Sequence, residues 1–194
     1  MRAPYTDVEY VCSPIASGAA SPASDRPTRA VIDLHALTHN YAEVTRRIGG
    51  RKVLAVVKAQ AYGHGAVPVA RHLAGLGAHM FGVALVEEGR DLRGAGITSP
   101  ILVMGPVFPE QAEVMVKSDL TALVYTLPVA KALSDAAGNA GRTVPVHVKI
   151  DTGMGRIGLT PEAAVEFIST ISTLPGVVVE GLMTHFADAD LRDK

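Results

Sequence analysis

The sequence has a single cysteine, Cys12, and no apolar run near the roughly 18 residues that a membrane-spanning helix requires. One cysteine forms no disulfide within the chain, which favours a reducing compartment, and we predict a cytoplasmic protein. Neither sign of charge is in excess, since 18 basic and 19 acidic residues leave a formal net charge of −1. With no basic stripe and no block of like charge, the sequence predicts no binding to nucleic acid or to a membrane.

The first 28 residues lack the features of a secretory signal. The stretch SPIASGAASPASDRPT is rich in Ser, Ala and Pro, and it contains no continuous apolar segment of about 7–15 residues. Asp7 and Glu9 stand where a signal peptide carries positive charge. We therefore predict a disordered N-terminal extension over residues 1–28, with a wrongly assigned start codon as the alternative.

After residue 28 the chain alternates amphipathic segments with short apolar runs. Residues 33–48 space their apolar side chains by three or four, which predicts a helix, and further helices are predicted at 65–74, 86–96, 109–117, 126–140 and 160–174. The apolar runs KVLAVVK, MFGVAL, ILVM, LTALVY, VPVHVKI and VVVEGLM predict strands that begin near residues 53, 80, 101, 120, 144 and 177. Strands of this composition, joined by helices, form parallel sheets that are buried on both faces.

Six successive βα units fit either a doubly wound sheet or most of a (β/α)8 barrel. No GxGxxG follows the first strand, so the dinucleotide-binding form of the doubly wound sheet lacks its usual support. In a barrel, functional side chains lie at the carboxyl ends of the strands.

Several polar residues follow predicted strands. Lys58 closes the first, Asp151, Gly153 and Arg156 follow the fifth in KIDTGMGRIG, and His185 follows the sixth in GLMTHF. Each has an ordinary structural explanation: a solvated lysine, a hydrogen-bonded histidine, or a glycine that needs positive φ. Their convergence at one predicted barrel mouth favours an active site.

A lysine in apolar surroundings has a specific chemical use. Desolvation disfavours its ammonium form and frees an amine that attacks a carbonyl, giving a Schiff base. The carbonyl can belong to a substrate, as in a cofactor-free lyase, or to pyridoxal 5'-phosphate (PLP). For Lys58 the residue chemistry leaves both open.

AVVKAQAYGHGA resembles the PLP-lysine signature of alanine racemases, whose usual run is AVVKA, then Asp or Asn, then AYGHG. KIDTGMGRIG and EGLMTHFA resemble the next two motifs of that family, in the same order. The resemblance runs from about residue 29 to the C-terminus, and Gln60 departs from the signature. It implies a PLP-binding TIM (β/α)8-type barrel, incomplete with about six βα units, over a partial domain at residues 29–194.

The resemblance implies roles for residues near the cofactor. Lys58 would hold PLP covalently and act as acid and base on one face of the substrate. Tyr62 would reach the cofactor phosphate. Arg156 would hydrogen-bond the phenolic oxygen of PLP and lie near the substrate carboxylate, and Met154 would offer a backbone contact near the substrate.

Two further positions match residues of the family. Lys149 corresponds to a lysine that is carbamylated in some members and orients the arginine. His185 would bind and orient groups around the cofactor, among them a catalytic tyrosine, and we count it as catalytic. His64 is predicted to be structural, and no metal site is predicted.

The implied activity is an isomerase reaction, the PLP-dependent interconversion of L-alanine and D-alanine by Cα proton abstraction, which supplies D-alanine for peptidoglycan. The chain ends nine residues after His185, and we expect strands seven and eight, the phosphate cup and a C-terminal β domain to be absent. The family implies a homodimer whose second subunit supplies the opposite base, and a complementing C-terminal half is an expected partner. The alternatives are a non-catalytic PLP-binding module and an inactive truncated remnant; the DTGMGR and THFA motifs argue against a cofactor-free lyase.

Overall fold

The computed structural model of the protein describes residues 30–191 and contains one six-stranded sheet. All neighbouring strands are parallel, and their order along the sheet is their order along the chain. The strands are β1 (Leu54–Val56), β2 (Met80–Val83), β3 (Ile101–Val103), β4 (Thr121–Val124), β5 (Val144–Lys149) and β6 (Val177–Met183). The predicted N-terminal extension, residues 1–28, lies outside the described residues.

Helices connect the strands and precede the first of them. They are α1 (Leu34–Arg47), α2 (Lys58–Tyr62), α3 (Ala66–Gly75), α4 (Val86–Gly94), α5 (Ala112–Lys117), α6 (Leu127–Ala140) and α7 (Pro161–Ile171), with a 3-10 turn at Pro109–Gln111 before α5. Within residues 30–191, no helix is long and apolar enough to cross a membrane.

Local sequence chemistry sets the helix ends. Asp33 caps α1, and its carboxylate accepts hydrogen bonds from the N–H groups of His35 at 2.7 Å and Ala36 at 3.0 Å. Thr160 caps α7 in the same way, and Pro161 occupies the first helical position, where a missing N–H costs nothing. These starts agree with the predicted helices.

The sheet has a buried side chain layer on each face. The outer layer packs strands against helices and includes Phe81, Ile101 and Val146, all fully buried. The inner layer is built around Met80, Leu102 and Leu123, and its other members come from strands or from the segments just after them. Because Leu102 and Leu123 are no more than 1% exposed without helix cover, the sheet itself must curl around them.

The sequential parallel order and the strand-built inner layer distinguish between the two predicted folds. A doubly wound sheet reverses its strand order at a switch point, whereas a barrel adds each strand beside the previous one. The sheet is therefore that of a (β/α)8-type barrel, with six of its strands in the described chain. The predicted fold is confirmed.

One element was not predicted. The short helical segment α2 begins at Lys58, and residues 59–61 adopt left-handed φ and ψ. The first strand is correspondingly shorter than its apolar run, since β1 ends at Val56. The N–H of Val57 still donates to the carbonyl of Gly82 at 2.8 Å, which carries the pairing to the residue before Lys58.

Candidate functional site

Lys58 lies at the carboxyl end of β1 and opens the left-handed segment. Its side chain is half-buried, and its Nζ lies 5.8 Å from the centroid of the Tyr62 ring. A cation at this distance over an aromatic face is attracted by the electrons of the ring. Tyr62 itself is 62% exposed, so its phenol stands at the open carboxyl edge of the sheet rather than in the core.

The turn that follows Lys58 is conformationally unusual. Ala59, Gln60, Ala61 and Tyr62 have φ values of 49°, 57°, 50° and 55°, four successive non-glycine residues in the left-handed region. Each such residue costs about 1–2 kcal/mol relative to a right-handed conformation. Strain of this kind persists only where surrounding contacts fix it, and it concentrates at functional sites.

Gln60, the departure from the signature, takes part in this turn. Its backbone carbonyl accepts the N–H of Gly65 at 2.7 Å, and its side-chain oxygen accepts the N–H of Ala66 at 3.3 Å. The Gln60 amide therefore provides an acceptor for the first N–H of α3. His64 makes a local contact, with Nδ1 2.9 Å from the carbonyl oxygen of Ala61.

Sequence reasoning did not single out Glu88, which reaches the same turn from α4. Its carboxylate accepts the N–H of Ala59 at 2.6 Å. Its position in the sequence does indicate a capping role: Glu88 is the third residue of α4, where a glutamate side chain commonly accepts a hydrogen bond from the backbone N–H of the residue before the helix. Nothing in that local pattern indicates that the carboxylate reaches another strand.

The loop after β5 closes on itself and presents the glycine-rich motif. The N–H of Asp151 donates to the carbonyl of Leu159 at 2.8 Å, and the N–H of Leu159 donates to the carbonyl of Lys149 at 2.9 Å. Inside the loop the Asp151 carboxylate accepts the N–H groups of Gly155 at 3.0 Å and Gly153 at 3.1 Å. These two bonds lower the pKa of Asp151. The loop is thus held by an ionised carboxylate.

Glycine is required at one position of this loop. At Gly158 φ is +122°, and a Cβ would lie 2.8 Å from the backbone nitrogen of Asp151. Met154 and Arg156 are carried by the loop at the carboxyl edge, with Met154 half-buried and Arg156 exposed. The structure thus places both predicted substrate-facing residues on one closed loop.

Lys149 is the buried cation of the site. It is 3% exposed, and its Nζ donates to the carbonyl of Ile150 at 3.2 Å. Burial lowers the pKa of Lys149 below its ordinary value; the Asp151 carboxylate opposes this change, and the positive charge of Arg156 reinforces it. Burial therefore makes the charged form of Lys149 less stable than it is in water.

His185 follows β6 at the same edge and is exposed. The hydroxyl of its neighbour Thr184 lies 2.5 Å from that of Thr152 in the β5 loop. This contact ties the segment that carries His185 to the loop that carries Arg156.

The curled parallel sheet brings these groups to one rim. Lys58 and Tyr62 follow β1, and the other predicted site residues end or follow β5 and β6, so all lie at carboxyl ends of strands. In strand order β1 stands four places from β5, yet Leu54 of β1 and Ile157 of the β5 loop belong to the same inner layer, so the curl of the sheet brings the ends of these two strands together. Among the described residues no cluster of three or more His, Cys, Asp or Glu could hold a metal ion.

This set of groups fits PLP chemically. The Lys58 amine suits its aldehyde, and the exposed Tyr62 phenol carries an O–H group of the kind that donates to a phosphate. The Arg156 guanidinium, with five fixed donors, suits an anionic oxygen or a carboxylate.

Comparison with known proteins identifies the family to which the chain is similar. The family model described as alanine racemase, N-terminal domain, matches residues 32–194. An alanine racemase of Halothermothrix orenii is 46% identical over 170 residues, which are 87% of this chain and 45% of that protein. The chain spans about half the length of the curated relatives it matches.

Solved structures show the same fold. An alanine racemase of Clostridium difficile 630 superposes with a TM-score of 0.75 at 40% identity, over 78% of this chain and 40% of that one. A histidine racemase from Leuconostoc mesenteroides superposes with a TM-score of 0.77 at 30% identity, over 83% of this chain and 44% of that one.

Proposed function

This chain belongs to the alanine racemase N-terminal-domain family, and we propose that it is the part of an amino-acid racemase that carries the cofactor lysine. The observation that supports this most directly is the position of Lys58, a half-buried lysine at the carboxyl end of β1 beside the exposed Tyr62 phenol. The proposed domain covers residues 29–194, with residues 1–28 as an extension outside it.

PLP, when bound through Lys58, supplies an electron sink for the negative charge left at Cα when an amino acid loses its proton. With PLP in place, the Lys58 amine would lie on one face of the substrate, where it would take or return the Cα proton. A positioned side chain of this kind contributes about 10²–10⁴-fold to the rate.

The other rim residues bind and orient. Tyr62 would donate a hydrogen bond from its hydroxyl to a phosphate oxygen. Arg156 would bind the phenolic oxygen of PLP and the substrate carboxylate, while the Met154 backbone would line the substrate side. His185 is exposed at the end of β6 and positions the groups that face it from the rest of the enzyme.

Lys149 supports Arg156 as a carbamate. Its neutral amine adds to carbon dioxide and loses a proton, so that a repelling cation becomes an anion that attracts the guanidinium. The lowered pKa of Lys149 favours the amine that this step needs. A bicarbonate-dependent increase in the intact mass that is lost in Lys149→Met would support the step, and a mass independent of bicarbonate would contradict it.

Racemisation needs a second base on the opposite face, and Lys58 serves one face only. The matched relatives are about twice as long as the part that this chain covers. We place the second base, a tyrosine, in a C-terminal domain of a partner subunit of a homodimer. The remaining phosphate contacts then come from barrel strands seven and eight.

Alanine is the proposed substrate, and D-alanine for the cell wall the proposed product, because the curated relatives are alanine racemases. The histidine racemase of similar fold shows that this architecture also serves an amino acid with a larger side chain. Racemisation assays with alanine and with histidine distinguish between these two substrates.

Absorbance with added PLP, followed by borohydride, tests the proposal. We expect a visible band in the parent chain that becomes a covalent adduct on reduction and is absent in Lys58→Ala. Lys52→Ala is the matched control, since Lys52 is an exposed lysine just before β1. No Lys58-dependent adduct in the parent would contradict PLP binding by this chain.

Deuterium exchange and racemisation assays then separate an enzyme from a binding module. An adduct with Cα exchange, and with racemisation when a C-terminal half is added, supports the racemase. An adduct with neither activity favours a non-catalytic PLP-binding module.

A further inference from the structure

We propose that Glu88 is a positioning residue for Lys58, acting through the left-handed turn at residues 59–62; this inference rests on the role proposed above for Lys58. The juxtaposition that supports it is the Glu88 carboxylate, which joins the carboxyl ends of β1 and β2 through three backbone N–H groups.

The two carboxylate oxygens have different partners. Oε2 accepts the N–H groups of Ala84 at 2.7 Å and Leu85 at 3.1 Å, the two residues between β2 and α4. Oε1 accepts the N–H of Ala59 at 2.6 Å, and Ala59 lies just after β1, the strand next to β2. Glu88 is half-buried and lies in the first turn of α4, where a negative charge is favoured by the helix dipole. The carboxylate is thus anchored on β2 before it reaches β1.

The bond to Ala59 constrains the orientation of Lys58. The N–H of Ala59 and the carbonyl of Lys58 belong to one planar peptide unit. Fixing that plane fixes ψ of Lys58 and φ of Ala59, which is 49° and starts the left-handed run. Since this left-handed run is unfavourable for non-glycine residues, it requires contacts from outside the turn. The charge-assisted hydrogen bond that the Ala59 N–H donates to the Glu88 carboxylate is one of them.

Helix capping alone does not account for this arrangement. A capping glutamate needs only the bond to the N–H of Leu85, the residue before α4. Here the second oxygen points away from α4 to a peptide 29 positions earlier in the chain. Its neighbour Glu87, in the same helical turn, is exposed and serves as a matched control.

Amide hydrogen exchange on the full chain tests the bridge without any cofactor. We expect Glu88→Gln to accelerate exchange at Ala59 to Tyr62 by about tenfold or more, because one amide oxygen cannot serve both strands. Glu88→Asp, one methylene shorter, should keep the α4 cap and show the same acceleration, while Glu87→Gln matches the parent. Unchanged exchange at residues 59–62, or acceleration confined to α4, would overturn the proposal.

A second readout connects the turn to Lys58. In Glu88→Gln the equilibrium constant for forming the Lys58 adduct with PLP, titrated by absorbance before any borohydride is added, should fall by about tenfold. Binding of pyridoxamine phosphate, which has no aldehyde and forms no bond to lysine, should stay within about twofold. An equal loss for both ligands would overturn the positioning role. A parent chain that forms no adduct contradicts the proposed function instead, and the exchange experiment still decides the role of Glu88.

Discussion

The Nζ of Lys58 lies 5.8 Å from the centre of the Tyr62 ring, four residues along a left-handed turn. The proposed cofactor lysine and the proposed phosphate ligand are therefore parts of one local structure. Tyr62 is 62% exposed, so its position depends on this turn more than on the packing of the core.

Tyr62→Phe should weaken PLP binding by about tenfold to a hundredfold, the range for losing one hydrogen bond to a charged group. The phenylalanine ring retains the attraction to the lysine cation, so the change isolates the hydroxyl. Titration with pyridoxal, which has no phosphate, is the control and should give equal affinities for parent and variant. Equal losses for both ligands would assign the hydroxyl a role other than phosphate binding.

Lys149→Met should leave the free energy of unfolding at neutral pH unchanged, or raise it by about 1 kcal/mol or more, since it removes a desolvated cation. The lowered pKa of Lys149 also predicts a pH dependence. Between that pKa and the ordinary value of 10.5, the folded chain binds fewer protons than the unfolded chain, so parent stability rises with pH.

Urea denaturation of both proteins across that range, in bicarbonate-free buffer, measures this effect. The parent should gain stability relative to Lys149→Met as the pH approaches 10.5, and the difference should be constant below the folded pKa. Parallel profiles would show that Lys149 is not desolvated in the folded chain.

Gly181→Ala should destabilise the fold by about 1–3 kcal/mol, because the added methyl group overpacks against the side chain that faces it. An added Cβ would lie 2.9–3.0 Å from three atoms of the His147 ring on the neighbouring strand. Gly138→Ala, in α6 with nothing within 4 Å, should instead stabilise by about 0.5–1 kcal/mol through helix propensity. Chemical denaturation of the two variants measures the contrast, and equal effects would contradict the packing argument.

Arg93→Met should cost about 2–4 kcal/mol of stability without changing the affinity for PLP. The guanidinium donates to the carbonyls of Ile97, Ser99, Ser118 and Asp119, which precede β3 and β4 at the amino-terminal face of the barrel. Removing the guanidinium leaves these four carbonyls without their hydrogen-bond donor, which lowers stability. The affinity for PLP should not change, because the amino-terminal face of such a barrel contributes to stability rather than to catalysis. Arg90→Met, on the exposed side of the same helix, is the control for lost charge. A loss of PLP affinity in Arg93→Met at retained stability would contradict this division.

Element type and order were predictable because each apolar run or periodic stretch is long enough to indicate one structure. All six predicted strands and the predicted helices are present, with ends that differ by a few residues. The strand that fits least well is the first, which ends at Val56, because the chain turns into the left-handed segment there. Propensity does not predict such a segment at Ala59–Tyr62, since every residue in it prefers another conformation.

The sequence by itself determined the alternation of strands and helices, the strand ends at which Lys58, Arg156 and His185 occur, and the family to which these motifs point. Local periodicity and short motifs carry that information within a few residues. The tertiary structure decided that the strands follow one another around a curl, that Lys149 is buried beside the β5 loop, and that Glu88, after β2, reaches Ala59 at the end of the neighbouring β1. These are contacts between residues distant in the chain, and their geometry is fixed by packing and hydrogen bonding in three dimensions, which no local pattern contains.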